Sequence, residues 1–281
     1  MSNSRRKFLQ LSGAATVGAL ALNISPASAN KITKAAATPK FKMGIASYSL
    51  RSFTLEEAIE MTKRVGLTSM CLKSMHLPLD SSKSELKEMT TKVSDAGLKL
   101  YGGGVIYMKS KEQVDEAFAY AKAAGLEMIV GVPSHEFLAY TEEKVKEYDI
   151  IVAIHNHGPG DEMYPSVESI HNKIKDLDER IGICMDIGHS TRIGEDPSAA
   201  LKKYGSRIYD MHLKDVSALG KPGKSVEIGR GIIDIPSFAK TLLKTNYAGY
   251  LSLEFEKDGK DPLAGLAESV GYFNGVIDTL T

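Results

Sequence analysis

From Phe41 onward the chain alternates short apolar runs with longer amphipathic stretches, and the alternation repeats eight times. The runs are 41–46 (FKMGIA), 68–73 (TSMCLK), 99–104 (KLYGGG), 127–132 (EMIVGV), 150–155 (IIVAIH), 181–186 (IGICMD), 208–213 (IYDMHL) and 250–255 (YLSLEF). None alternates strictly between apolar and polar residues, which is the pattern of parallel strands covered on both faces. The stretches between them carry helix punctuation. Thr54 with Glu57, and Ser82 with Glu85, form capping boxes, and Gly66, Gly97 and Gly125 stand where the helical spacing stops. Pro197, Pro236 and Pro262 fall near the first turns of later helices, where a missing N–H costs nothing. Eight strand–helix units in about 240 residues predict one α/β domain over residues 41–281, a (β/α)8 barrel. A doubly wound open sheet is the alternative.

Ahead of this pattern the chain reads as an export signal. Ser4-Arg5-Arg6-Lys7-Phe8-Leu9-Gln10 is a twin-arginine pattern, followed by a weakly apolar run from Leu11 to Ile24 and an A-x-A cleavage site at Ala27-Ser28-Ala29. The apolar run is shorter than the roughly 20 residues a bilayer demands, so cleavage leaves no stable membrane anchor. Residues 30–40 read as a flexible lead-in, and the expected location is periplasmic. The twin-arginine route carries folded proteins, which suits a domain that acquires a metal before export.

Charge then divides unevenly. The 281 residues hold 35 Lys+Arg against 35 Asp+Glu, but residues 1–29 contain three basic residues and no acid, leaving 32 against 35 beyond the signal. A mildly acidic domain argues against nucleic acid as a partner. Cys71 and Cys184 both lie in apolar runs and read as free core thiols rather than as a disulfide.

In a barrel of this kind chemistry sits where the strands end. The last four runs end in His155-Asn156-His157, Asp186-Ile187-Gly188-His189, His212-Leu213-Lys214-Asp215 and Glu254-Phe255-Glu256, so four of the seven histidines fall in these short windows. Imidazoles and carboxylates converging from adjacent strands are what a divalent first-row metal needs. Taken together, IHNHGP, CMDIGH, HLKD followed by EIGRG, and SLEFE resemble the sugar phosphate isomerase/epimerase family of xylose-isomerase-like barrels, over essentially the whole domain. The resemblance implies that four residues on successive strands bind one metal, commonly Glu, Asp, His and Glu. Asp186, His212 and Glu254 match that set, and His155 stands where the first Glu is expected. The implied cofactor is one divalent ion: manganese, cobalt, zinc, iron or magnesium.

The departure at His155 bears on the reaction. Epimerases of this group use two facing metal-bound glutamates as paired bases, with the metal stabilising the enediolate. Only Glu254 remains of that pair, and a metal-bound imidazole nitrogen has no lone pair to offer. A one-base reaction is therefore favoured: abstraction of a proton beside a ketone, then loss of a β-substituent. The resemblance extends to lyases that cleave 3-keto-glycosides, and an exported location suits glycosides better than sugar phosphates. An isomerase or epimerase is the second reading, and a non-catalytic sugar-binding protein or a DNA-repair nuclease are more distant ones.

Around that set, His189 and His157 are candidates for acid or substrate contacts. Lys214 is a candidate for holding an enediolate oxygen, with Asp215 as its fixing partner and Glu256 as a neighbour of Glu254. Lys73 and His76 after the second run, Arg230 in the loop after the seventh, and Tyr107 and Tyr48 at the pocket wall complete the expected substrate contacts. Gly102-Gly103-Gly104 lacks the lysine of a phosphate loop and reads as close backbone packing. The apolar last helix, 263–280, is expected to pack on the barrel or on a second copy, so a homo-oligomer stays open.

Overall fold

The computed structural model describes residues 39–281. The signal expected over 1–29, and nearly all of the lead-in at 30–40, lie outside the described residues. The strands are β1 (Lys42–Ala46), β2 (Ser69–Leu72), β3 (Lys99–Met108), β4 (Met128–Pro133), β5 (Ile151–His155), β6 (Ile181–Asp186), β7 (Ile208–Leu213) and β8 (Tyr250–Leu253). All eight are parallel and each pairs with its neighbours in sequence, with β8 closing onto β1, so the sheet is a closed barrel and not an open one. The helices are α1 (Leu55–Arg64), α2 (Lys83–Asp95), α3 (Lys111–Ala124), α4 (Leu138–Tyr148), α5 (Val167–Ile174), α6 (Ile187–Arg192), α7 (Pro197–Tyr204), α8 (Ile235–Lys244) and α9 (Leu263–Leu280).

Local sequence accounts for most of these boundaries. Both expected capping boxes form: Thr54 and Ser82 each accept from the backbone N–H three residues on, and Glu57 and Glu85 reach back to the cap. Strand β3 runs four residues past its apolar run because β4 continues to pair with Ile106–Met108 beyond a register shift at Gly104. The eighth run is shorter than expected as a strand, so Glu254 begins the loop that follows β8.

Apolar residues pack in two places. The larger cluster fills the space between strands and helices, and a smaller one fills the barrel interior with Cys71, Tyr101, Met128, Val130, Ala153, Cys184 and Tyr250. Tyr101 and Tyr250 stack there with ring centroids 3.6 Å apart, and both thiols are buried and free. Helix α9 buries Leu266, Val270, Phe273 and Ile277, so its apolar face packs within the domain. Among the described residues no helix is long and apolar enough to cross a membrane.

Register decides what stands at the top of that interior. Asp186 pairs with His212, His212 with Ser252, and His155 with Cys184. Side chains two residues apart on a strand share a face, so Glu254, two past Ser252, joins Asp186 and His212 at the C-terminal mouth. Beyond β7, residues 215–216 and 225–226 form a short antiparallel hairpin over one side of the mouth.

Gly104 makes the closest backbone approach in the glycine run. A Cβ there would lie 2.1 Å from the Val130 carbonyl oxygen, and φ is +154°. Gly97, with φ +79°, has nothing within 4 Å of a built Cβ. Gly104→Ala is therefore expected to cost about 3 kcal/mol or more, through clash as well as conformation. Gly97→Ala should cost only about 1–2 kcal/mol, from the left-handed conformation alone. Urea denaturation of the two variants beside the wild type measures the gap, and equal losses would refute the close-packing account.

Candidate metal centre and active site

Four side chains from adjacent strand ends converge at the mouth. One ligand atom each from His155, Asp186, His212 and Glu254 lies within 4.8 Å of the other three, and all four residues are buried. His155 Nε2 is 3.1 Å from His212 Nδ1, which is itself 3.1 Å from Glu254 Oε2. Asp186 Oδ2 is 3.8 Å from His155 Nε2 and 3.9 Å from His212 Nδ1. These spacings are those of donors at about 2.0–2.2 Å from one common ion.

Backbone contacts fix the donors in place. Asp186 is the N-cap of α6: its Oδ1 accepts the His189 N–H at 2.7 Å, which turns Oδ2 toward the cluster. Asn156 clamps the end of β6, its Oδ1 accepting the Asp186 N–H at 2.9 Å and its amide donating to Ser190 Oγ at 3.3 Å. Asp186 Oδ2 makes no aligned hydrogen bond, although Lys214 Nζ stands 3.0 Å away as an ion-pair partner. His155 Nδ1 and His212 Nε2 are also buried without a partner. A polar, under-satisfied set of two imidazoles and two carboxylates fits a divalent first-row cation.

Lys214 is the centre of charge. Its ammonium lies 2.7 Å from Glu254 Oε2 and also contacts Glu256 Oε1, while the whole residue is buried. Burial disfavours its charge, but Asp186, Glu254 and Glu256 outweigh burial and hold it protonated. The same balance governs Glu254, where burial is overcome by His212 and Lys214 and the carboxyl is held well below the usual range. Burial also opposes charge on His212, yet Glu254 beside it takes the imidazole up to about 9. His155 is neutral: burial, then the neighbouring His212, pull it well down. His189 and His157 are lowered chiefly by burial and are neutral near pH 7.

Open space adjoins the set. A cavity of about 360 Å³ is lined by His189, Lys214 and Glu256 together with Arg192, Lys224 and Lys257. His157 stands with its ring centroid 4.6 Å from that of His155 and 6.2 Å from that of His189, and its Nε2 is hydrogen-bonded to the Tyr107 hydroxyl at 3.1 Å. Nδ1 of His157 is 3.3 Å from Asp161 Oδ2, whose other oxygen accepts two backbone N–H groups in the loop after β5.

The profile of the xylose isomerase-like TIM barrel family matches residues 54–275. The chain belongs to that family. It is 27% identical over 157 residues to the rhizopine catabolism protein MocC of Rhizobium meliloti, covering 46% of this chain and 48% of that protein. Against an inosose dehydratase of Clostridium beijerinckii it is 32% identical over 124 residues, covering 38% of this chain and 41% of the relative. The chain thus matches about half or less of the length of these curated relatives. An uncharacterised protein from Parabacteroides distasonis superposes with a TM-score of 0.67 at 26% identity, over 84% of this chain and 99% of the other.

Within this xylose isomerase-like barrel, several expected contacts fall elsewhere. Arg230 points to α9 and pairs with Glu268 at the surface, so it is removed from the mouth; Arg192 and Lys224 are the cations lining the cavity instead. His76 is buried with Nδ1 2.9 Å from Ser47 Oγ and Nε2 3.1 Å from the Phe53 carbonyl, which leaves neither nitrogen for a substrate. Lys73 lies over the Tyr48 ring and 3.5 Å from the Val105 carbonyl oxygen, on the opposite rim from Lys214. Asp215 does not fix Lys214: its carboxylate accepts the N–H groups of Val216, Gly229, Gly231 and Ile233 and so ties the loop after β7 to the barrel. Period-two spacing put Lys214 and Asp215 on opposite faces, and that signal was present in the sequence.

One acid escaped the sequence reading. Asp210, two residues before His212, is fully buried beneath the donors, where the Tyr101 hydroxyl donates to its carboxylate at 3.1 Å. Burial pushes its carboxyl up to about 6, against the opposing pull of His212 and Tyr101. A folded-state value above the unfolded one means that the native state holds the proton more tightly, so stability falls as pH rises from about 4 to about 6. Relative to Asp210→Asn, which has no proton to lose, the metal-free wild type is expected to lose up to about 3 kcal/mol between pH 4 and 7. Parallel urea titrations of both proteins in chelator give the difference, and a pH-independent gap would refute it.

Proposed function

We propose that this protein is a divalent-metal-dependent lyase that removes the proton beside a ketone and expels a β-substituent, the C1 aglycone of a 3-keto-glycoside. His155 carries the reading. It is a buried nitrogen donor 3.1 Å from His212, where symmetric epimerisation needs a second carboxylate opposite Glu254. The similarity to inosose dehydratases, eliminating enzymes by name, supports the same reaction class. A sugar epimerase or isomerase is the second reading, favoured by one feature: His157 and His189 both flank His155, with ring centroids 4.6 and 5.9 Å from it, so two proton carriers border the donor set.

A divalent ion held by His155, Asp186, His212 and Glu254 would supply Lewis acidity toward the negative charge that develops on the keto oxygen. The Lys214 ammonium adds a fixed positive charge beside that oxygen. Glu254 is one of the four candidate donors and pairs with the Lys214 ammonium at 2.7 Å, so its lone pairs are already engaged, and the base is better assigned to His189, which burial keeps neutral and which faces the cavity. The C2 proton passes to His189 while the C2–H electrons form the C1–C2 double bond and the C1–O bond breaks. The departing oxygen takes its proton from the neighbouring His157–Tyr107 pair, whose imidazole lies 6.2 Å from that of His189. Glu256 keeps Lys214 oriented. The reading includes export through the twin-arginine route as a folded, metal-loaded protein.

Three measurements test it. With a 3-keto-glucoside in deuterated water, chelator should abolish aglycone release and manganese, cobalt or zinc should restore it; deuterium uptake without release would favour the epimerase. His189→Gln should keep its metal by elemental analysis and lose about 10²–10⁴ in rate, whereas Glu254→Gln should lose metal as well. Undiminished turnover in the histidine variant would return the base to Glu254. Replacing Arg5 and Arg6 by lysine should leave the protein in the cytoplasm on fractionation, and unchanged export would sink the twin-arginine assignment.

A further inference from the structure

Beside the donor set, on the rim away from Arg192 and Lys224, lies a second cavity of about 430 Å³ between the loop after β2 and the first turns of α3. Leu79, Ile106, Tyr107 and Ala117 form its apolar walls, with Asp80 and Glu116 at the edge. Leu79 and Tyr107 are 47% and 48% exposed, although each is large and apolar enough to belong in a core. Paired exposed apolar side chains over a concave surface mark a ligand groove more often than a defect.

Tyr107 joins this groove to the chemistry. Its ring walls the groove and stacks on His157 at 5.9 Å, its hydroxyl is hydrogen-bonded to His157 Nε2, and the His157 ring in turn contacts His155 of the donor set. The groove therefore begins where the donor set ends, on the side where the departing oxygen receives its proton. Asp80 and Glu116 make no ion pair among the described residues, so the edge offers hydrogen-bond acceptors and repels anions. The cavity on the other rim carries Arg192, Lys224 and Lys257 and suits the polar sugar ring.

The geometry points to this groove as the seat of the leaving group, and to an aromatic, hydroxyl-bearing aglycone as its occupant. This rests on the keto-glycoside reading for the role of the occupant, while the binding of an aromatic ring stands apart from it. Ring faces pack on Leu79 and Tyr107, phenolic hydroxyls donate to Asp80 and Glu116, and the volume admits a one- or two-ring phenol. Leu79 is neither a candidate metal donor nor a proton carrier, and it stands 47% exposed on the loop after β2, so replacing it leaves those groups in place.

The test uses the metal-loaded protein, its Leu79→Asp variant, free 4-methylumbelliferone as a binding probe, and two 3-keto-glucosides, one with an aryl and one with a methyl aglycone. Loss of a buried leucine contact predicts about tenfold weaker probe binding in Leu79→Asp by fluorescence titration. It likewise predicts about a tenfold fall in kcat/KM for the aryl substrate, with the methyl substrate changed less than about twofold. Comparing variant with wild type cancels the difference in leaving-group acidity between the two substrates. Equal effects on both substrates, or unaltered probe binding, would overturn the assignment while leaving the lyase reading standing. Failure of either protein to release any aglycone would overturn the lyase reading, and the probe titration would still decide whether the groove takes an aromatic ring. A concentration-dependent dimer in sedimentation that Leu79→Asp abolishes would show the groove to be covered by a second copy, and would overturn the proposal.

Discussion

A lysine ammonium buried at the mouth of a barrel must be met by carboxylates, and the arrangement of the whole site follows from how that charge is balanced. Lys214 is 3% exposed and is surrounded by Asp186, Glu254 and Glu256. Leaving any buried charge of this set without its partner would cost several kcal/mol, so each of β6, β7 and β8 has to deliver its residue at the same height. Parallel pairing in register does this, since Asp186 lies directly beside His212 and His212 beside Ser252. The four candidate metal donors thus meet because the strands that lead to them are hydrogen-bonded neighbours.

Beneath the charged layer the barrel interior turns polar in one further place before it becomes apolar. Asp210, Tyr101 and Ser252 form a buried hydrogen-bonded group, with the Tyr101 hydroxyl within reach of both partners and its ring stacked on Tyr250. That layer lies below the donors, and the Cys184 thiol reaches both it and the nitrogens of His155 and His212. Above, Asp215 gathers four backbone N–H groups and Arg192 donates to the carbonyl oxygens of Gly220 and Lys221, so the loop after β7 is tied down over the cationic side of the mouth. The opposite side is left to Tyr107, His157 and the apolar groove. The two rims differ in chemistry, one lined by cations and the other by aromatic and apolar side chains.

Much of this was legible in the chain. Eight short apolar runs separated by capped helices specify a parallel barrel, because both the period and the punctuation are local properties that survive folding. Clustering of His155, His157, His189 and His212 at run ends put them on one face of the barrel for the same reason: in this fold the C-terminal end of a strand is a place, and sequence position assigns a residue to it. What failed were statements about partners. Arg230 was reasoned to face the mouth from its loop alone, whereas Glu268, 38 residues on, draws it to the outer surface. His76 was read as a rim histidine, but Ser47 and the Phe53 carbonyl take up both nitrogens.

The sequence by itself determined the eight strand–helix units, the family resemblance and the strand ends at which the histidines and carboxylates gather, since these follow from periodicity and from residue positions along the chain. Tertiary structure alone decided which charges meet. Asp186 comes to Lys214 from the end of β6 and both Glu254 and Glu256 from the segment after β8, Asp210 gains its raised proton affinity from being enclosed, and Glu254 loses its basicity to Lys214, 40 residues away. Proton affinity in a buried site is set by distance and desolvation, and neither is a property of position along the chain.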